Sequence, residues 1–100
     1  MLSYLVNGVT MDMNHRRSNV EVIADILRLR EAGKTEIMYS ANMSYRQLQK
    51  YLAFLTQEGF LERFVRPNPG VKYRTTQKGQ QLLKSIEAIL DMLGPRGKHD

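Results

Sequence analysis

The sequence has no cysteine and no tryptophan, three prolines and two histidines in 100 residues. Without cysteine there is no disulfide, no thiolate metal site and no thiol nucleophile. No long apolar run is present either. The opening around Leu2 and Val6 is broken by Ser3, far short of the roughly 20 residues that span a bilayer, and it lacks the basic flank and longer apolar stretch of a secretory signal. These absences predict a cytoplasmic protein with no membrane association. His15 and His99 fall near the two ends, with no partner at metal-binding spacing. Gly33-Lys34-Thr35 resembles the end of a phosphate loop, but Arg28 stands where the earlier glycine is required. No titratable groups converge at catalytic spacing. The expectation is therefore no enzyme, no cofactor and no metal. One hundred residues also support a single core, with no room for separate catalytic and regulatory domains.

What is present in excess is positive charge. Fifteen Lys and Arg face ten Asp and Glu, for a net charge of +5 and a pI near 9.7. The layout matters more than the total. No acid occurs from 37 to 57, where Arg46 and Lys50 fall, or from 63 to 86, which carries Arg63, Arg66, Lys72, Arg74, Lys78 and Lys84. Basic segments of this kind suit a polyanion such as nucleic acid.

Local signals supply the frame. Residues 1–17 show no clear periodicity and read as a flexible arm, with Met1, Met11 and Met13 as candidate starts. Ser18 and Glu21 make a capping box that opens a first helix. Val22, Ile23, Ile26, Leu27 and Leu29 form its apolar face, and Gly33 is its expected left-handed terminator. Thr35 caps a short helix over 36–41, ended by Asn42. Ser44 and Gln47 form a second capping box, with Met43 and Leu48 as a hydrophobic staple, and this helix runs over 44–58 to Gly59. At 100° per residue, Leu48, Tyr51, Leu52 and Leu55 face inward. Arg46, Lys50, Ala53 and Gln57 lie opposite, flanked by Gln47 and Gln49, so the outer face holds no carboxylate. Two helices joined by a short turn, the second strongly capped, match a helix-turn-helix. A hairpin over 60–75 follows, its tip at 66–70, and Thr76 caps a last helix over 77–93 closed by Gly94 and Pro95. Residues 94–100 read as a loose tail. Leu82, Ile86, Ile89 and Leu93 recur as a seam widened by Leu83 and Leu90, the expected surface of a homodimer. The fold class is α+β, mostly α: three helices, a hairpin wing and a C-terminal helix, a winged helix-turn-helix over 18–93.

The run Lys34-Thr35-Glu36-Ile37-Met38-Tyr39-Ser40-Ala41-Asn42-Met43-Ser44-Tyr45, continued by Leu48, Tyr51, Leu52, Leu55, Gly59 and Phe60, resembles small archaeal winged-helix proteins of the "10a" DNA-binding type. Tyr73-Arg74-Thr75-Thr76-Gln77-Lys78-Gly79 is similar to that family's approach to its final helix. The resemblance implies DNA binding and dimerisation through antiparallel pairing of the last helices. Thr75 departs from it, standing where the family usually has an aliphatic residue. The final helix, ending near Gly94, is also shorter than in the best-known relatives.

DNA binding requires cations for phosphates and a narrow element for the major groove. The helix over 44–58 supplies that element. Arg46 suits guanine, Gln47 or Gln49 suits adenine, and Lys50 suits a base edge or a phosphate. Ser44 and Tyr45 offer hydroxyls and free amides at the helix start. Arg66, Lys72 and Arg74 on the wing, with Lys78, are expected on backbone or the adjacent minor groove; His15, Arg16 and Arg17 form a candidate minor-groove arm. The partner expected is double-stranded DNA, and the role a small transcriptional regulator or nucleoid-associated protein. The alternative is a winged-helix protein-interaction module, since fold does not fix function. RNA is disfavoured because a deep A-form groove does not admit a helix.

Overall fold

The computed structural model describes residues 3–6, 9–12, 18–67 and 70–93. The candidate arm His15, Arg16 and Arg17 and the tail over 94–100 lie outside the described residues. Two strands, β1 (Ser3–Val6) and β2 (Val9–Asp12), pair antiparallel with Val6 opposite Val9. Periodicity alone predicts no element here. The two-residue separation carries Asn7-Gly8, a strong hairpin dipeptide between β-prone segments.

Helix α1 (Asn19–Arg28) opens as expected, with the Ser18 hydroxyl accepting from the Glu21 amide and Glu21 accepting from the Ser18 amide, both at 3.1 Å. It ends earlier than expected. Arg30, not Gly33, takes the left-handed conformation, with φ 69°, and the chain enters a two-residue strand β3 (Glu31–Ala32). Gly33 is extended and becomes the N-cap of α2 (Lys34–Ala41), displacing Thr35 from that role. Its amide donates to Glu36 at 3.0 Å. Asn42 ends α2 in the left-handed region at φ 52°.

Helix α3 (Tyr45–Gln57) starts at the Ser44 box and ends before Gly59, which has φ 83°. Strands β4 (Leu61–Val65) and β5 (Val71–Thr75) form the wing, and α4 (Gln77–Leu93) closes the domain. The sheet order is β3-β5-β4, all antiparallel. This short third strand is why α1 stops where it does: the Arg30 carbonyl accepts from the Thr75 amide at 2.7 Å, and Ala32 pairs with Tyr73.

Ile26, Leu27, Ile37, Leu48 and Leu55 are the largest fully buried side chains, joined by Leu52, Leu61 and Tyr73. Each such aliphatic side chain stabilises the fold by about 1.5–3 kcal/mol through burial. Because α1, α2, α3 and the sheet all contribute, the core fixes α3 relative to the wing. Thr75, the departure from the aliphatic pattern, is buried but satisfied, its hydroxyl donating to the Leu27 carbonyl at 2.9 Å. Arg28 bridges Asp25 at 2.9 Å and Glu87 at 3.0 Å, tying α1 to α4.

Candidate nucleic-acid interface

The outward side of α3 follows from its periodicity. Leu48, Leu52 and Leu55 are buried, while Arg46, Gln47, Gln49, Lys50, Ala53 and Gln57 are exposed. Tyr51 is half-buried and its hydroxyl donates to Asn19 at 2.7 Å. Gln47 has a second role: its side-chain oxygen accepts from the Ser44 amide and its own amide donates to the Ser44 hydroxyl, both at 3.2 Å. Only its amino group is left to face a ligand. Arg46 and Lys50 have no carboxylate partner among the described residues. Tyr45 is exposed, and the Lys34 ammonium sits 5.8 Å from its ring centroid. Phe54 is also 47% exposed, an aromatic on the helix flank that the inward set did not include.

The wing is arranged differently from the sequence expectation. Directly opposed residues of paired strands share a sheet face. Glu62 opposes Arg74, Phe64 opposes Lys72, and Glu31 also opposes Arg74. Arg63 opposes the buried Tyr73, on the face turned toward α3. Arg74 and Lys72 therefore lie on the far face, among acids. Arg74 bonds Glu62 at 3.3 Å and stacks 4.3 Å from the Phe64 ring centroid. Lys72 lies 3.7 Å from Glu36. Arg66 pairs with Glu31 and lies 5.0 Å from the same ring. The hydrogen bond from Arg66, aided by its charge, holds the Glu31 carboxyl below the usual glutamate range.

Lys78 is engaged too, its ammonium donating to the Glu58 carbonyl at 2.7 Å and lying over Phe60. It caps the carboxyl end of α3. Of the ten expected DNA-contacting residues, Ser44, Tyr45, Arg46, Gln47, Gln49 and Lys50 lie together at and along α3; Arg66, Lys72, Arg74 and Lys78 each have an intramolecular partner.

Between α3 and the wing runs a cleft of about 380 Å³, lined by Lys34, Gln49, Leu52, Ala53, Thr56, Gln57, Arg63 and Tyr73. Arg63 was not among the expected contacts. Its signal was available in the period-2 alternation of the strand, which puts it on the other face from Glu62 and Phe64. A groove of about 510 Å³ lies on the other flank of α3, lined by Asn19, Ile23, Gln47, Lys50, Tyr51 and Phe54.

On α4 the expected dimer residues divide in two. Leu82 and Leu83 pack on the chain's own core, Ile86 is 5% exposed, and Leu90 is half-buried. Ile89 and Leu93 are 50% and 72% exposed, joined by Met92 at 82%. Among the described residues no group of acids and histidines is placed to hold a metal, and no helix is long and apolar enough to cross a membrane.

The sequence profile of winged helix-turn-helix domains matches residues 16–94. The chain belongs to the winged helix-turn-helix family. The chain is similar to Sso10a-2, a DNA-binding protein from Sulfolobus solfataricus. The two superpose with a TM-score of 0.70 at 32% identity, over 77% of this chain and 82% of that one. An uncharacterised protein of Methanocaldococcus jannaschii is 30% identical over 92% of this chain and 93% of its own length. The winged-helix fold is shared with the Escherichia coli repressor MarR, a mutant of which is solved with operator DNA. There the TM-score is 0.62 at 20% identity, over 71% of this chain and 52% of the repressor.

Proposed function

We propose that this winged helix-turn-helix protein binds double-stranded DNA as a small transcriptional regulator or nucleoid-associated protein of the cytoplasm. Helix α3 enters the major groove and the wing lies on flanking backbone. The observation that carries this reading is the outer side of α3, where Arg46 and Lys50 are exposed and free of carboxylate partners among the described residues. An arginine and a lysine on an exposed helix suit guanine edges and phosphates. The likeness to the DNA-binding protein Sso10a-2 supports the same reading. Two copies associate through the exposed end of α4, at Ile89, Met92 and Leu93, so that two α3 helices address one duplex.

The test is fluorescence anisotropy with a labelled duplex. Replacing Arg46 and Lys50 together by Glu removes two contacts per protomer and four per dimer, each worth about 1–3 kcal/mol, and lowers affinity about a thousandfold or more. The wild-type log–log salt slope is near −5 if about six phosphates are neutralised per dimer. A doubly substituted chain that binds like wild type excludes this face. Binding-site selection on randomised duplexes separates a regulator, with a sharp consensus, from a chromatin-like protein with a flat profile. The apolar end of α4 also supports a second reading, a protein-interaction module. Salt-insensitive binding to a protein partner, with no retention on duplex DNA, favours it.

A further inference from the structure

We infer that the cleft between α3 and the wing is a phosphodiester seat, formed by Lys34 and Arg63, and that the wing holds DNA by this inner face and not by Arg66, Lys72 and Arg74. The inference rests on the DNA-binding reading and deepens it. Three observations support it. Strand register sets Arg63 opposite Tyr73, on the side of the sheet that faces α3. Lys34, first residue of α2, lines the same cleft, so two cations from separate elements border one space. Neither has a carboxylate partner among the described residues, whereas Arg66, Lys72 and Arg74 are held by Glu31, Glu36 and Glu62.

The rest of the lining has the chemistry such a seat needs. Gln49 and Gln57 give the α3 wall neutral amide donors, and Ala53 between them leaves room for a strand to approach. No acid lines the cleft. A phosphate on the outer sheet face must instead displace a carboxylate already in place, and exchanging one anion for another releases little net free energy. The seat also continues the α3 surface: Lys34 lies over Tyr45 at the start of that helix.

The experiment compares neutral variants on a labelled duplex of roughly 20 base pairs, two turns of DNA, across a salt series. With one phosphate contact fewer per protomer, and so two fewer per bound dimer, Arg63→Gln and Lys34→Gln each weaken binding about thirtyfold at 0.15 M salt, and each lowers the log–log slope by about 1.8. The double variant, with four contacts fewer per bound dimer, lowers the slope by about 3.6. Arg66→Gln, Lys72→Gln and Arg74→Gln stay within about twofold of wild type, as expected for cations already paired. Circular dichroism checks that each variant is folded. Wild-type affinity and slope in Arg63→Gln and Lys34→Gln, while the Arg46/Lys50 charge reversal abolishes binding, overturn the seat and leave the DNA reading standing. Equal losses for Arg74→Gln and Arg63→Gln also overturn it. A wild-type chain that does not bind duplex overturns both.

Discussion

Replacing Gly79 by Ala sets two rules against each other, and the structure decides between them. Gly79 lies in the first turn of α4. In an unconstrained helix the change to Ala stabilises by up to about 1 kcal/mol. Here a Cβ overlaps the Phe60 carbonyl oxygen and comes within 2.8 Å of the Thr75 methyl. Neither neighbour yields easily. The Phe60 carbonyl accepts from the Thr76 amide at 3.1 Å, while the Thr76 hydroxyl donates to the Gly59 carbonyl at 2.6 Å and accepts from the Gly79 amide at 3.0 Å. Overpacking against fixed backbone costs about 3 kcal/mol, the upper part of the usual range. Displacing the Phe60 carbonyl forfeits about 1 kcal/mol more. Less the helix gain, Gly79→Ala destabilises by about 3 kcal/mol, lowering Tm by about 12–24 °C for a domain of this size. Thermal and urea unfolding followed by far-ultraviolet circular dichroism read this directly. A variant as stable as wild type, or more so, shows that α4 does not approach the wing this closely.

Two further outcomes follow from single contacts. Thr75→Val removes the buried bond to the Leu27 carbonyl and costs about 1 kcal/mol in urea unfolding; a gain in stability instead means that the hydroxyl contributes nothing. Glu31, held below the usual glutamate range by Arg66, titrates by NMR at a lowered midpoint that rises toward the ordinary value in Arg66→Gln. Because the folded-state carboxyl titrates below its unfolded counterpart, the pair supports the fold above the usual glutamate range, and that support fades as pH falls through the lowered midpoint. An unchanged midpoint in Arg66→Gln contradicts the pairing.

Much of the frame is legible in short sequence signals because the physics there is local. Ser18 with Glu21 and Ser44 with Gln47 satisfy helix-end amides within four residues, and both boxes form. Asn42 and Gly59 take left-handed φ where a helix must end. The end of α1 is not local. Arg30 adopts φ 69° because strand β3 pairs with β5, a partner more than forty residues on, and nothing at Arg30 itself announces it. Gly33 offers a stronger terminator signal in the wrong place.

The site shows the same division. Which side of α3 faces outward follows from helical period and holds for Arg46, Lys50, Leu48, Leu52 and Leu55. The wing's cations form an acid-free stretch of sequence, but the sheet brings Glu31 and Glu62 back beside them, and α2 brings Glu36. Segregation along the chain did not become segregation in space. The ends of α4 differ for a related reason: its seam is continuous in sequence, yet Ile86 is covered by the domain while Ile89 and Leu93 extend past it.

The most direct test of the central claim is an amide chemical-shift map of the nitrogen-15-labelled chain titrated with duplex DNA. If α3 and the inner face of the wing hold DNA, the largest shifts fall on 44–57, Lys34 and Arg63, and they diminish as salt is raised. Shifts confined to the end of α4, or to Lys72 and Arg74 with α3 silent, contradict it.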